Sequence, residues 1–68
     1  MKQYRVVTKF EIRYPHEIIN KTEETDDFSA ALNTYIIRIQ DPETIYCCLH
    51  TVNKSGMIDK IIAAFNTK

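Results

Sequence analysis

The sequence predicts a small α+β domain, in which an antiparallel sheet carries one amphipathic helix on one face. Two patterns support this prediction. Residues 3–14 alternate between apolar and polar side chains with a period of two, which is typical of a half-buried strand. Residues 26–40 repeat apolar side chains at intervals of three and four, which is typical of a helix. At 68 residues, the chain is expected to form a single domain over 1–68.

The first strand is expected to bury one face and expose the other. Its even positions carry the aromatic and β-branched side chains Tyr4, Val6, Thr8, Phe10, Ile12 and Tyr14. Pro15 ends the strand and begins a turn, since proline has no amide hydrogen for a ladder. Residues 17–24 then fit two interpretations, a charged edge strand that returns along the first strand or a loop.

The helix is predicted from six apolar positions on one face, namely Phe28, Ala31, Leu32, Tyr35, Ile36 and Ile39. Thr25, Asp26 or Asp27 can cap its first turn, and Asp41-Pro42 ends it. The β-branched segment 34–39 would also suit a strand, with a hairpin turn at 41–44. We favour the helix because the periodicity continues over three turns.

Residues 44–52 are apolar at both parities, which predicts an interior strand of a meander-like sheet. Asn53-Lys54-Ser55-Gly56 has the composition of a turn. Residues 57–66 have two interpretations. Met57, Ile58, Ile61, Ile62 and Phe65 cluster on one side of a helical wheel, and Ser55 could cap that helix. We favour this C-terminal helix, with a further strand in a hairpin as the alternative.

The formal net charge is zero, which removes the simplest argument for a nucleic-acid or membrane-surface protein. Charge is nevertheless uneven, at +3 over residues 1–22, −5 over 23–43 and +2 over 44–68. Met1 and Lys2 lead into the first strand without an apolar stretch, so we expect no secretion signal. The adjacent Cys47 and Cys48 suit reduced thiols, and we expect a cytoplasmic protein.

Chemical sites are not expected. Cys47, Cys48, His16 and His50 lack the spacing of a structural zinc site, so we predict no metal and no cofactor. A cysteine–histidine pair is formally available, but no third residue orients it, and cysteines within an apolar strand are commonly inert. A single glycine leaves no glycine-rich phosphate loop. The chain is therefore predicted not to be an enzyme.

Two charged groups suggest partners. Arg5, Lys9 and Arg13 recur every fourth residue, about 13 Å apart on a strand, and could follow a phosphate backbone. The first strand's aromatic residues lie on its opposite face, so this surface lacks stacking groups. An acidic patch formed by Glu23, Glu24, Asp26 and Asp27 could imitate nucleic acid in a basic groove, although helix capping explains part of it.

The predicted strands carry more apolar surface than one helix covers, and this observation leads to the functional hypothesis. The predicted partner or dimer surface comprises Ile45, Cys47, Leu49, Met57, Ile61 and Phe65. We therefore expect a non-enzymatic protein-binding module that forms a homodimer. Frequent Ile, Asn and Lys are typical of short reading frames in mobile elements, including phages, of AT-rich bacteria, which suggests an inhibitor or regulator of a host or defence protein. The alternative is a small nucleic-acid-binding protein.

Overall fold

The computed structural model describes residues 3–67, which form one four-stranded sheet and one helix. The elements in chain order are β1 (Tyr4–Arg13), β2 (His16–Thr25), α1 (Phe28–Gln40), β3 (Thr44–Val52) and β4 (Ile58–Asn66). The helix packs on the sheet and contacts β3 and β1 most extensively. The predicted α+β class, with one helix on an antiparallel sheet, is confirmed.

The strand order is β2-β1-β3-β4, and all three neighbouring pairs are antiparallel. The chain therefore crosses β1 between β2 and β3, and α1 makes this crossing. The expectation of a simple meander is wrong in this respect. Because β2 and β3 lie on either side of β1, the connection between them passes over β1. This crossing places α1 over the centre of the sheet.

Both ends of α1 are fixed by short polar contacts. Asp27, with extended backbone geometry, is the N-cap, and its carboxylate accepts a hydrogen bond from the Ser29 amide at 3.0 Å. At the other end the Arg38 carbonyl accepts from the Asp41 amide at 3.2 Å and from the Thr44 hydroxyl at 2.6 Å. The predicted helix is confirmed, and the strand alternative for 34–39 is wrong.

No helix within residues 3–67 combines the length and apolar character needed to cross a membrane.

The core lies between α1 and the two central strands. Val6, Cys47 and Leu49 from the sheet pack against Ala31 and Tyr35 from the helix, and all five are buried. Five partly buried side chains pack around the margin of this core, namely Tyr4, Leu32, Ile39, Ala63 and Phe65. Val6 and Tyr4 of β1 face this core, as predicted, and β3 is the interior strand that its apolar composition indicated. Tyr14 was expected on the same buried face, but it lies in the turn after β1, beyond the sheet, and is 93% exposed.

Residues 17–24 belong to an edge strand, so the loop interpretation is wrong. β2 pairs with β1 without interruption from Tyr4 opposite Thr25 to Arg13 opposite His16. Tyr14 and Pro15 form the two-residue turn, and the peptide bond between them is cis.

Residues 58–66 form a strand, so the favoured C-terminal helix is wrong. Asn53, rather than Ser55, organises this segment: its side-chain oxygen accepts hydrogen bonds from the amides of Ser55 and Met57, each at 3.0 Å. The Asn53 amide also donates to the Met57 carbonyl at 3.0 Å. Gly56 completes the turn with φ +84, a left-handed conformation that glycine adopts without strain. These contacts close a hairpin instead of capping a helix.

The helical spacing in this segment has a structural cause. The pairing of β4 with β3 shifts register between Leu49 and His50 and again before Val52. After the first shift His50 is opposite Ile61, whereas Leu49 is opposite Ala63. Such irregularities break the alternation of a strand, because an extra residue changes which side chains share a face. Apolar residues then recur at intervals that resemble a helix.

The burial of the central strands makes a first prediction. Val6→Ala should lower the free energy of unfolding by about 1–2.5 kcal/mol, because it removes methyl groups from a position that is 1% exposed. Ile37→Ala removes more apolar volume from a side chain on α1 that is 54% exposed, and should change stability by less than about 0.5 kcal/mol. Urea denaturation followed by circular dichroism measures both. Equal losses would contradict this placement of the core.

Candidate functional site

The two edges of the sheet differ in chemistry. β2 carries His16, Glu17, Lys21, Glu23 and Glu24, and such charge discourages the addition of another strand. β4 carries only Asp59 and Lys60, whose charges cancel. An edge strand offers unpaired backbone amides and carbonyls, so the less charged edge is the one suited to bind an extended segment.

Large apolar side chains concentrate at this less protected edge. Met57, Ile58, Ile61 and Ile62 are 66, 56, 63 and 42% exposed, respectively, whereas β2 exposes two isoleucines, Ile18 and Ile19, at 44 and 38%. Four such neighbours in six residues differ from isolated apolar residues on a protein surface, which are ordinary. We call β4 together with Met57 the β4 edge, and it is the candidate functional site.

The structure divides the predicted partner or dimer surface. Cys47 and Leu49 are fully buried beneath α1, and they support the core instead of forming a surface. Phe65 packs at the margin of the core, and Ile45 is also half-buried. Met57 and Ile61 remain exposed and belong to the β4 edge. Ile58 and Ile62 also belong to this edge; the sequence placed them in the same apolar cluster as Met57 and Ile61, but the predicted surface left them out.

Cys47 is held as a neutral thiol. Burial raises its pKa above the ordinary 9.0, and the Thr8 hydroxyl, 3.5 Å from the sulfur, offsets part of this rise. Burial also raises the pKa of the neighbouring Tyr35 hydroxyl. A thiol must ionise to act as a nucleophile or metal ligand. The arrangement therefore makes Cys47 a small core residue.

Cys48 and His50 occupy the sheet face that points away from α1. Both are buried, at 3 and 1% exposure. A hydrogen bond with Cys48 raises the pKa of Tyr46, and burial raises it further. His50 Nδ1 donates to the Thr51 carbonyl at 3.1 Å, because a carbonyl can only accept. Its Nε2 is buried and has no hydrogen-bond partner among the described residues.

Within residues 3–67, no three histidine, cysteine or acidic side chains are grouped so that they could hold a metal ion. His16 lies on the hairpin of β1 and β2, where its Nε2 is 3.0 Å from the Glu11 carboxylate. Cys47 and Cys48 extend to opposite faces of β3, since successive side chains of a strand alternate.

The basic residues of β1 lie on the face away from the helix, but they differ in their contacts. Arg5 Nε donates to the Glu24 carboxylate at 2.9 Å, and its Nη2 donates to the Gly56 carbonyl at 3.0 Å. Lys9 and Arg13 are exposed, and Glu11 stands between them. The predicted basic stripe thus contains one structural arginine and an interrupting carboxylate.

The predicted acidic patch is dispersed by its contacts. Asp27 caps α1, and Asp26 Oδ1 accepts a hydrogen bond from the Gln3 amide at 3.1 Å. Glu24 pairs with Arg5 on the face away from the helix. Each of these carboxylates has a role in holding neighbouring elements together, and they do not form one continuous acidic surface.

Glu23 makes the strongest of these contacts. Arg38 Nε and Nη2 of α1 donate to its two carboxylate oxygens, each at 2.9 Å. The paired side chains are 31 and 21% exposed. Bidentate geometry and partial burial make such a pair more stabilising than an ordinary surface ion pair. It joins β2 to the C-terminal half of α1.

A groove with a volume of about 740 Å³ lies where β1 ends and β3 begins. Its polar lining includes Glu11, Arg13 and Glu43, and Tyr14 forms one wall at 93% exposure. The lining combines both signs of charge and contains neither cysteine nor histidine. We assign no reaction to it.

Comparisons with protein-family models, with curated proteins and with solved structures found no match to this chain.

The contact between β2 and α1 makes a second prediction. Glu23→Gln should lower the free energy of unfolding by about 1–2 kcal/mol, because it leaves the partly buried Arg38 without its bidentate carboxylate. Glu24→Gln is the matched control on the same strand. Its side chain is 42% exposed and makes one contact with Arg5, so a loss below about 0.5 kcal/mol is expected. Urea denaturation of the wild type and both variants measures the two losses. Equal losses would contradict the greater role assigned to the Glu23–Arg38 pair.

Buried hydroxyl and thiol groups make a third prediction. The pKa of Cys47 is higher in the folded chain than in the unfolded chain, so the protonated thiol favours the folded state. This contribution to the free energy of unfolding is lost as the pH rises beyond about 9.0. Raised pKa values of Tyr35 and Tyr46 act in the same direction, starting from 10.0. The free energy of unfolding should therefore fall between pH ~9 and pH ~11, and fall less in Cys47→Ala. Stability that rises over this interval would be inconsistent with neutral buried groups.

Proposed function

We propose that this chain is a non-enzymatic protein-binding module, and that it binds an extended polypeptide segment at the β4 edge. The observation that carries the proposal is the coincidence of a nine-residue strand at the edge of the sheet with exposed apolar side chains at its beginning. A strand edge supplies affinity through backbone hydrogen bonds, and neighbouring side chains supply specificity. The β4 edge offers both.

The rest of the sheet supports binding at this edge. β3 lies beside β4 as an interior strand, with four consecutive buried residues, Cys47–His50. Pairing between β3 and β4 is regular from Tyr46 opposite Asn66 to Leu49 opposite Ala63. A docking strand would therefore extend a sheet that is already anchored in the core, without a change of fold.

In a cell, such a module acts by occupying a strand-binding or strand-forming region of its target. This fits an inhibitor or regulator of a host or defence protein, encoded by a mobile element and working in the cytoplasm. An isoleucine-rich strand is complementary to an apolar extended segment of the target. The proposal assigns no cofactor, since the titratable groups at the core act structurally.

Nucleic-acid binding through β1 is the less favoured function. Arg5 is already bound to Glu24 and to the Gly56 carbonyl, and only Lys9 and Arg13 of the three are exposed. Two cations separated by Glu11 supply little of the counterion release on which such binding depends.

The test is partner capture from the native host with three tagged chains: wild type, Ile61→Lys and Ile37→Lys. Both substitutions place lysine on an exposed isoleucine, but Ile37 lies on α1, away from β4. A protein captured by wild type should then be purified and titrated against each chain. We expect Ile61→Lys to weaken its binding at least ~10-fold and Ile37→Lys to leave it within ~2-fold.

Equal binding by Ile61→Lys would overturn the assignment to the β4 edge. Loss with Ile37→Lys alone would instead place binding on the helix. Circular dichroism of each variant confirms that the chain remains folded.

A further inference from the structure

We propose that the polypeptide bound at the β4 edge is a second copy of this chain, paired antiparallel through β4 about a two-fold axis at Ile62. The inference rests on the proposed function, because it assigns an occupant to the same edge, where a second copy and a target segment would compete. The product is one continuous eight-stranded sheet with β2 at both outer ends. The self-complementarity of β4 supports this choice of occupant.

Symmetry restricts how β4 can pair with itself. In an antiparallel pair related by a two-fold axis, one residue must be opposite its own copy. An axis at Asp59 or Lys60 places two like charges opposite each other, which is destabilising. An axis at Ile62, the middle residue of Ile58–Asn66, allows all nine residues to overlap. This register combines complete overlap with separation of the like charges.

The resulting pairs are compatible throughout. Ile62 is opposite its copy, Ile61 is opposite Ala63, and Lys60 is opposite Ala64. Asp59 is opposite Phe65, and Ile58 is opposite Asn66, so no like charges face each other. The pairs at the centre are apolar, and the charged side chains lie beside small or aromatic ones from which they can extend into water.

The irregular part of β4 agrees with this axis. The register with β3 shifts after the Leu49–Ala63 pair, at Ile61 and Ile62. A bulge increases the local twist of a strand, and pairing with a straight edge would lose hydrogen bonds there. A two-fold axis at Ile62 sets the same irregular segment of both strands side by side. Each strand therefore meets a neighbour with the same bulge and the same local twist.

The opposite edge explains why association stops at two chains. Once the β4 edges are paired, only β2 remains at each end of the sheet. It exposes Ile18 and Ile19, but charged side chains flank them, including Glu17, Lys21 and Glu24. Charge on an edge strand opposes further addition. The chain therefore has one edge that accepts a strand and one that resists it, as expected for a closed dimer.

A charge-swap experiment tests the axis directly. Ile62→Lys and Ile62→Glu each place like charges opposite each other in a self-pair, whereas an equimolar mixture places opposite charges there. Sedimentation velocity over ~1–300 µM should show wild type as a dimer. Each single variant should dimerise at least ~10-fold more weakly than wild type, and the mixture should recover to within ~3-fold. Ile37→Lys and Ile37→Glu, the matched controls on α1, should dimerise as wild type does.

A monomeric wild type at ~300 µM, or a mixture as weak as either variant alone, would overturn the inference. If circular dichroism shows that an Ile62 variant is unfolded, the same two substitutions are made at Ile61, which is 63% exposed and diagonal to its own copy across the axis. The outcome separates the two proposals. A monomeric wild type that still loses its captured partner through Ile61→Lys removes self-pairing and retains binding at the β4 edge. A dimer whose partner binding ignores Ile61→Lys retains self-pairing and removes that edge from partner binding.

Discussion

The packing of α1 across β1 and β3 is the contact on which the rest of this structure depends. Val6 and Leu49 are buried there against Ala31 and Tyr35, and few other residues in a chain of 68 can form a core. Because one helix covers only the centre of a four-stranded sheet, both outer strands lie at its margin. Their chemistry then decides what else the domain can contact.

The two outer strands, which the helix does not cover, are held to the sheet by different contacts. β2 is fixed by polar contacts, with Glu23 bound to Arg38 of the helix and Glu24 bound to Arg5 of the neighbouring strand. β4 depends on its pairing with β3 and on Ala63 and Phe65 at the margin of the core. Charged groups of β2 thus serve the internal structure, while β4 with Met57 exposes four large apolar side chains against two, Ile18 and Ile19, on β2. The proposed binding follows from this asymmetry.

Sequence patterns predicted the parts of the fold that a single helix or strand determines. The alternation of β1 and the periodicity of α1 indicated both elements, because each has a regular apolar face. The pattern was misleading at β4, where register shifts opposite His50 and Val52 mix the two faces. The acidic run from Glu23 to Asp27 could not be interpreted from sequence, since its partners Arg38, Arg5 and Gln3 lie far away in the chain. Likewise, which of two consecutive cysteines faced the helix depended on register.

Amide hydrogen exchange of the wild-type chain, compared between its two outer strands at low and high protein concentration, tests the central claim most directly. Edge amides that gain a partner exchange more slowly, and those that remain in water do not. The account predicts that amides of Ile58–Asn66 become protected as concentration rises, while those of His16–Thr25 keep their rates. Unchanged exchange along β4, or protection that appears on β2 instead, would contradict it.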